Sequence, residues 1–211
     1  MKVGILGSGD VGKRLGDSFV DLGHQVKIGT RDVGKLADWA AKHGRHASAG
    51  SFADAAKFGD IIVIATAWTG TQSALEMAGA ENMAGKVVID VTNPLDFSTM
   101  PPTLSIGHTD SAGETVQRML PGSKVVKAFN IVGNPHMYKP KFAEGRPTMF
   151  ICGNDDSAKK MVTDILTAFG WESIDIGGIE GARLLEPLAM LWITYYFRTN
   201  TGNHAFKLLR K

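Results

Sequence analysis

Residues 1–12, MKVGILGSGDVG, decide the fold prediction for the whole chain. The apolar run KVGIL indicates a short buried strand, and the residues from Val11 onward have the spacing of an amphipathic helix. Between them, Gly7, Gly9 and Gly12 follow the pattern G-x-G-x-x-G. In a strand–turn–helix unit the first glycine permits a tight turn, the second admits a pyrophosphate close to the backbone, and the third lets the helix pack on the strand. The stretch therefore predicts a dinucleotide-binding turn.

Strand-like and helix-like segments alternate along the rest of the chain. Apolar runs typical of strands buried on both faces are QVKIGT, DIIVIAT, KVVIDVT, SKVVKAFN and PTMFICG. Helical spacing is found in VGKLADWAAKHG and GNDDSAKKMVTDILTAFG. This alternation predicts an α/β protein with a Rossmann-type, doubly wound, mostly parallel sheet. We expect residues 1–153 to form the dinucleotide-binding domain. Residues 154–211 should form a small, largely helical α/β extension, with SIDIG as a last strand.

The end of the second strand predicts which dinucleotide binds. An NAD-preferring site places an acidic residue there to accept hydrogen bonds from the ribose 2′-hydroxyl. This chain has Thr30 and Arg31 at that point, followed by Asp32 and Lys35. Arg31 can pair bidentately with a 2′-phosphate and stack on the adenine, while Thr30 adds a hydroxyl and Lys35 a positive charge. The sequence therefore predicts NADP, with Asp32 turned away from the phosphate.

Composition and charge narrow the other possibilities. The chain has 23 basic and 21 acidic residues, a balance that gives no reason to expect nucleic acid or an anionic membrane as partner. No apolar run approaches the ~20 residues that span a bilayer, and no signal peptide is visible, so we expect a cytoplasmic protein. Cys152, the single cysteine, is expected to be a core residue. His43 and His46 are expected to be solvated, and we expect no metal site.

Eight short motifs, taken together, resemble those of a known family. They are GSGDVG, IGTRD with Lys35, DIIVIATAW, VIDVTNPL, VVKAFNIVG, CGNDDSAKK, GGIEGARLLEPL and HAFKLL. Each motif is unspecific alone, but their order and spacing along the whole chain resemble the deazaflavin (coenzyme F420 type)-dependent NADP oxidoreductases. The chain is also similar to the soluble NADP domain of the six-transmembrane metalloreductases.

The resemblance implies an NADP-dependent oxidoreductase that transfers hydride between NADP(H) and a flavin or 8-hydroxy-5-deazaflavin coenzyme. No side chain need act as acid or base, because the coenzymes carry the chemistry, and we therefore expect no catalytic residue. The resemblance also assigns contacts: Ser8, Gly9, Asp10 and Val11 for the pyrophosphate, Thr30, Arg31 and Lys35 for the 2′-phosphate, Ala65 and Thr66 for the nicotinamide, and Asn93, Pro94 and Asn130 for the second coenzyme.

Two other functions are open on sequence alone. The chain could be an NADPH-dependent reductase of a small imine or carbonyl, with His136, near the predicted pocket, as a potential proton donor. It could also be a non-enzymatic, NADP-binding sensor, because hydride transfer leaves no obligatory catalytic residue in a sequence. Trp68 could be a platform for a flavin ring or a residue packed under a loop.

The last expectations concern a loop and a helix. Residues 96–111, DFSTMPPTLSIGHTDS, form a long loop that could cover the acceptor, and Ser111 with Glu114 makes a capping box for the following helix. The segment EPLAMLWITYYF, residues 186–197, should be a helix that is apolar nearly all round, whereas a surface helix is apolar on one stripe. We therefore expect residues 154–211 to complete the acceptor pocket and to form a homodimer through the C-terminal helices, with small redox coenzymes as the other partners.

Overall fold

The computed structural model describes residues 1–211 as an eight-stranded sheet with helices on both faces and a separate two-stranded hairpin. The strands of the large sheet are β1 Lys2–Leu6, β2 Gln25–Gly29, β3 Ala47–Gly50, β4 Ile61–Ile64, β5 Val87–Asp90, β8 Lys124–Lys127, β9 Thr148–Gly153 and β10 Glu172–Asp175, and the hairpin consists of β6 Leu95–Asp96 and β7 Thr103–Leu104.

Seven α-helices cover the sheet and connect its strands. They are α1 Asp10–Asp21, α2 Ala37–His43, α3 Phe52–Phe58, α4 Trp68–Ala78, α5 Ala112–Met119, α6 Asp156–Phe169 and α7 Ala182–Thr199. Single 3-10 turns lie at Val33–Leu36, Gly44–His46, Ala80–Met83, Asn134–His136 and Ile179–Gly181.

The strand order places a ligand crevice between β1 and β4. The order across the sheet is β10-β9-β8-β5-β4-β1-β2-β3, and every pair is parallel except β8 with β9. From β1 the chain builds outward through β2 and β3, and from β4 it builds in the opposite direction through β5 and β8. Doubly wound sheets bind ligands at such a reversal, beyond the carboxyl ends of the strands. The predicted Rossmann-type, mostly parallel sheet is confirmed.

The core lies on both faces of the sheet, as the unbroken apolar runs predict. Along β4, Ile61 and Val63 belong to one buried cluster, and Ile62 and Ile64 belong to the other. Successive strand side chains point to opposite faces, so a strand covered by helices on both sides must be apolar at every position. The helices that pack on the two faces fix the position of the strand ends relative to each other.

Several elements differ from the sequence prediction. The helix expected from Val33 begins as a 3-10 turn, and β3, α3 and α4 were not predicted. The chain after β10 is not helical to its end, because α7 stops at Thr199 and residues 200–211 pack as an irregular tail. The backbone N–H of Thr148 donates to the Phe206 carbonyl at 2.8 Å in this tail contact. The division at residue 153 stays a prediction; β10 extends the same sheet by pairing with β9.

The α7 helix is buried on one face, which includes Leu185 and Ala189, and exposes apolar side chains on another. Leu184, Leu191 and Tyr195, spaced by seven and four residues, are 69%, 60% and 50% exposed. These three residues, named here the α7 stripe, lie on one face of the helix. None of the helices combines the length and apolar character required to cross a membrane.

Candidate dinucleotide site

The glycine turn between β1 and α1 has the backbone that its pattern predicts. Gly7 has φ of +122°, and a Cβ atom there would lie 2.4 Å from the Ala65 carbonyl oxygen. A Cβ at Gly12 would lie 2.0 Å from the Gly7 carbonyl oxygen, so any other residue would push α1 off the turn. The space that a Cβ at Gly9 would enter is empty. Gly7 and Gly12 are therefore required by packing, and Gly9 leaves the backbone open to a ligand.

A cleft runs over this turn along the carboxyl ends of β1, β4 and β5. Its first lobe, about 420 Å³, extends to the end of β2. Its second lobe, about 480 Å³, extends toward β5 and the hairpin. Gly9 and the segment 65–67 line both lobes, so the two form one continuous groove. Among the predicted residues, those that line the cleft are Gly7, Ser8, Gly9, Asp10, Val11, Thr30, Arg31, Ala65, Thr66 and Asn93.

The first lobe ends at the predicted 2′-phosphate contacts. Arg31 is exposed and lines the lobe. Thr30 is buried, and its hydroxyl lies 3.0 Å from the Ser8 hydroxyl and accepts the Asp32 backbone N–H at 3.3 Å. The structure therefore gives Thr30 the additional task of joining the glycine turn to the end of β2.

Lys35 and Asp32 form a local pair beside this lobe. The Asp32 carboxylate accepts the Gly34 backbone N–H at 3.1 Å, so it caps the 3-10 turn, and it lies 3.8 Å from the Lys35 ammonium. Both side chains are more than half exposed. Lys35 is therefore partly neutralised by its own neighbour, which leaves Arg31 as the stronger candidate for an anionic ligand.

Two helices begin at the cleft without a side-chain cap. The N-cap residues of α1 and α4 are Gly9 and Ala67, and neither offers a side chain to the first backbone N–H groups. By contrast α3, α5 and α6 are capped by Ser51, Ser111 and Asp155. Uncapped helix N-termini present unpaired donors and a partial positive charge, which favour anions. The cleft can therefore hold phosphate groups through backbone contacts.

The second lobe has apolar and neutral polar walls. Trp68, at the start of α4, lines it and also packs on the core. Its role as a platform for a flavin ring stays a prediction. Leu95 and Phe97 of the hairpin region form another wall, and Phe97 is 64% exposed. Asp10 is the one charged residue in the lining. Part of the predicted lid loop therefore does reach the cleft.

The predicted acceptor contacts divide into one that lines the lobe and two that support it. Asn93 lines the lobe, and its amide donates to the Asn130 carbonyl oxygen at 2.8 Å. The Asn130 amide donates to Asn93 at 3.0 Å and to the Leu185 carbonyl oxygen at 3.0 Å, and Asn130 is absent from the lining. Pro94 is buried, and its carbonyl oxygen accepts from Ser105. Their direct contact with a coenzyme stays a prediction.

The C-terminal extension contributes to the cleft indirectly. No residue of α7 lines either lobe; α7 instead borders a separate groove of about 680 Å³ with residues 104–108. The extension supports the site through Leu185, which holds Asn130, and through Glu186, which is 1% exposed. Glu186 belongs to a buried charged cluster with Lys127 and Asp90 that the sequence prediction missed. Charged residues at the ends of apolar runs, in VVKAF and VIDVT, were the available signal.

The remaining chemically reactive residues lie away from the cleft. His136 contacts Asn203 at 3.1 Å and the ring of Phe142, and does not line the second lobe. His43 lies 2.7 Å from Asp17 on the outer side of α1. Burial raises the pKa of Cys152 to about 12, so its thiol stays protonated. No group of three or more His, Cys, Asp or Glu side chains converges to hold a metal ion.

The glycine turn, the crevice at the reversal of strand order and the uncapped helices together define a Rossmann-type dinucleotide-binding protein. The family model described as "NADP oxidoreductase coenzyme F420-dependent" matches residues 2–94. A solved structure from Arthrobacter sp. FB24, described as a "putative f420 dependent nadp-reductase", is 42% identical over the full length of both chains, with a TM-score of 0.94. The chain belongs to this family, which confirms the resemblance seen in the sequence.

Two curated relatives extend the comparison. The F420-dependent NADP reductase of Methanocaldococcus jannaschii is 32% identical over 146 residues, which cover 66% of this chain and 63% of that protein. Metalloreductase STEAP3 of Rattus norvegicus is 29% identical over 192 residues, which cover 90% of this chain. The chain spans only 37% of the length of that metalloreductase.

Proposed function

We propose that this chain is an NADP-dependent oxidoreductase that passes hydride between NADP(H) and a flavin or 8-hydroxy-5-deazaflavin coenzyme. One observation carries the proposal: a single continuous cleft that has a free guanidinium at one end and a nearly uncharged, partly aromatic pocket at the other. The first end fits an anionic dinucleotide, and the second fits a flat neutral ring.

The dinucleotide end fits NADP in particular. A 2′-phosphate carries close to two negative charges, and a carboxylate at the end of β2 would repel it. Arg31 lies at that end of the lobe, and Asp32 is engaged by the Gly34 N–H and Lys35. The uncapped N-termini of α1 and α4 are suitable for the pyrophosphate. We therefore assign the adenine ribose to the first lobe and the nicotinamide to the segment 65–67.

The acceptor end favours a planar ring held by stacking. Trp68, Val91, Leu95 and Phe97 provide apolar or aromatic surface, while Thr92 and Asn93 provide a few neutral polar groups. Such walls orient a ring without binding a charge. The family description and the names of the Methanocaldococcus and Arthrobacter proteins support the F420-type deazaflavin as the acceptor.

No histidine or cysteine lines the second lobe, and Asp10 is its one charged residue. NADPH, when bound, would supply the hydride from its nicotinamide. His136, the nearest candidate acid in the sequence prediction, is engaged with Asn203 and Phe142 away from the lobe. The role of this chain is therefore to align two rings and to exclude water, and neither task depends on the titration of a side chain near neutral pH.

NADPH oxidation with a panel of acceptors tests this function. The panel contains an F420-type deazaflavin, FMN, FAD and small cyclic imines, each assayed at about pH 6, 7 and 8. We expect reduction of at least one ring coenzyme at rates that change little with pH. Selective reduction of an imine, with a rate that falls steeply over this range and is altered by His136→Ala, would instead indicate an acid-assisted imine reductase. NADPH binding without oxidation by any acceptor would indicate a sensor.

The same proposal includes a homodimer in the cytoplasm. The α7 stripe exposes two leucines and a tyrosine on one helix face. Contiguous exposed apolar surface of this kind marks interaction sites, and a two-fold dimer is the commonest arrangement. Cell fractionation tests the location, and the dimer is tested below.

A further inference from the structure

A buried ammonium group lies at the carboxyl end of β8, directly behind the cleft. Lys127 is fully buried. Its Nζ atom lies 2.8 Å from Asp90 at the end of β5 and 2.8 Å from Glu186 of α7, and it donates to the Thr92 carbonyl oxygen at 2.7 Å. An ammonium has three protons to donate, and here three acceptors surround it. The charge is therefore fully coordinated by one strand end, one loop and one helix.

The two carboxylates use their remaining lone pairs on backbone groups. Asp90 accepts the Thr92 backbone N–H at 2.9 Å and the Thr92 hydroxyl at 2.7 Å. Glu186 accepts the backbone N–H groups of Ala112 and Gly113, both at 3.0 Å. These two residues form the first turn of α5, whose partial positive charge favours a carboxylate. The cluster of Lys127, Asp90 and Glu186, named here the buried triad, therefore reaches two separate stretches of backbone.

The two stretches are the two ends of one segment. Residues 93–111 follow Thr92, which lies two residues after the end of β5, form the hairpin, and end directly before Ala112, the first residue of α5. This segment, named here the hairpin segment, contributes Asn93, Leu95 and Phe97 to the second lobe. A buried ion cluster is often no more stabilising than an apolar replacement, so its retention calls for another explanation.

We propose that Lys127 is a positioning residue that bridges Asp90 and Glu186 and thereby fixes both ends of the hairpin segment, which forms a wall of the acceptor lobe. The structural part of this inference stands independently; its consequence for turnover rests on the proposed function. No side-chain hydrogen bond or ion pair joins the buried triad to the glycine turn, Arg31 or segment 65–67. We therefore expect the dinucleotide half of the cleft not to depend on the triad's charges.

A neutral version of the buried triad tests the inference. Lys127→Met alone leaves two buried carboxylates without a counter-charge and is expected to impair folding. The triple variant Asp90→Asn, Lys127→Met, Glu186→Gln roughly keeps the side-chain volumes, the oxygen acceptor for the Thr92 N–H and one oxygen acceptor for the first turn of α5. It removes the charged bridge, together with the Lys127 donor to the Thr92 carbonyl oxygen and one of the two Glu186 acceptors. Hydrogen exchange, NADPH affinity and acceptor kinetics are then compared with those of the unmodified protein.

We expect faster amide exchange across residues 93–113 in the triple variant. NADPH affinity should be unchanged, and kcat/KM for the acceptor should fall by about 10- to 100-fold, since small misplacements of a binding wall have effects of this size. Unchanged exchange in residues 93–113 in a folded triple variant would overturn the inference. Faster exchange with an equal loss of NADPH affinity would also overturn it, because that result indicates general loosening of the sheet.

A second lysine with two acidic partners provides a control. Lys159 of α6 lies 2.7 Å from Asp175 and 3.1 Å from Asp156, and these two carboxylates are 45% and 97% exposed. Lys159→Met with Asp175→Asn removes this more exposed bridge and should leave exchange in residues 93–113 unchanged. The hydrogen-exchange measurement requires no acceptor. If the unmodified protein reduces no acceptor, that result counts against the proposed function. The exchange rates of residues 93–113 would still test the role of the buried triad.

Discussion

At the scale of single residues, we expect the preference for NADP to depend on one guanidinium, that of Arg31. Arg31 lines the first lobe at the end of β2, where an acid would select NAD. A hydrogen bond to a charged group contributes about 1.5–3 kcal/mol. Arg31→Ala should therefore weaken NADPH binding by about 10- to 100-fold and leave NADH binding nearly unchanged. Fluorescence titration with both dinucleotides measures this, and equal losses for the two would show that Arg31 supports the fold instead.

Lys35 provides the control for that substitution. Its ammonium is exposed and lies 3.8 Å from the Asp32 carboxylate, so it is already partly paired. Exposed charge pairs contribute about 0–1 kcal/mol. Lys35→Ala should weaken NADPH binding by less than Arg31→Ala. A larger loss of NADPH affinity in Lys35→Ala would indicate that the 2′-phosphate is bound by the 3-10 turn and not by the end of β2.

At the scale of elements, the hairpin should determine which acceptors fit. Phe97 is mostly exposed yet lines the second lobe, so Phe97→Ala removes a wall with little effect on folding. An aromatic stacking contact contributes about 0.5–1.5 kcal/mol, and the acceptor KM should rise about 2- to 10-fold while NADPH affinity holds. Met100→Ala, at an exposed position of the same loop outside the lining, is the control. If both substitutions act alike, the loop affects the acceptor through its stability and not through contact.

The contact between α5 and α7 predicts a dependence of stability on pH. The Arg183 guanidinium donates to Glu114 and holds the pKa of that carboxyl below its ordinary value of 4.5. A lowered folded-state pKa means that the stabilisation is complete above pH 4.5 and is lost as the pH falls through the lowered value. The Tm should therefore be flat between about pH 7 and 5 and decline below about 4, with a smaller decline in Arg183→Met. An equal decline of the Tm in that variant would show that groups other than Glu114 and Arg183 cause the loss of stability in acid.

A comparison of the elements with the sequence shows which of them could be predicted. Every central strand was predicted, because strands covered on both faces must be apolar at each position, and the glycine turn was predicted because only glycine fits at Gly7 and Gly12. The short β3, ASAG, has no apolar run to identify it. Only half of the predicted capping box at Ser111 forms. The Ser111 hydroxyl accepts the Glu114 backbone N–H, but the Ser111 backbone N–H donates to Asp110 and not to Glu114.

The supporting residues of the site were harder to predict because their partners are distant in the sequence. Asn130 was correctly placed near Asn93, but whether its amide faces a ligand or a helix depends on the packing of α7, which lies 55 residues away in sequence. The buried triad joins residues 90, 127 and 186, and no local pattern links such distant charges. The glycine turn and the buried strands could thus be predicted from local sequence patterns. The hydrogen bonds and ion pairs between residues distant in the sequence could not.

At the scale of the whole molecule, the α7 stripe predicts a dimer. Light scattering at micromolar concentration should give twice the mass of one chain. Leu191→Lys places a charge on the stripe and should shift the protein toward monomer. Leu209→Lys, at an exposed position in the C-terminal tail, should not. A monomer mass for the unmodified protein would leave the stripe without a partner and contradict the dimer.

The most direct test of the proposed activity follows a label from one coenzyme to the other. NADPH that carries deuterium at its transferable position is mixed with the protein and an F420-type deazaflavin in ordinary water, and the product is analysed by mass spectrometry. In the proposed function the cleft aligns one ring against the other for direct hydride transfer. The account therefore predicts that the reduced deazaflavin contains the deuterium, on one face of its ring only. Reduced deazaflavin without deuterium would show that the hydride does not pass directly between the two coenzymes in this cleft, and would contradict the account.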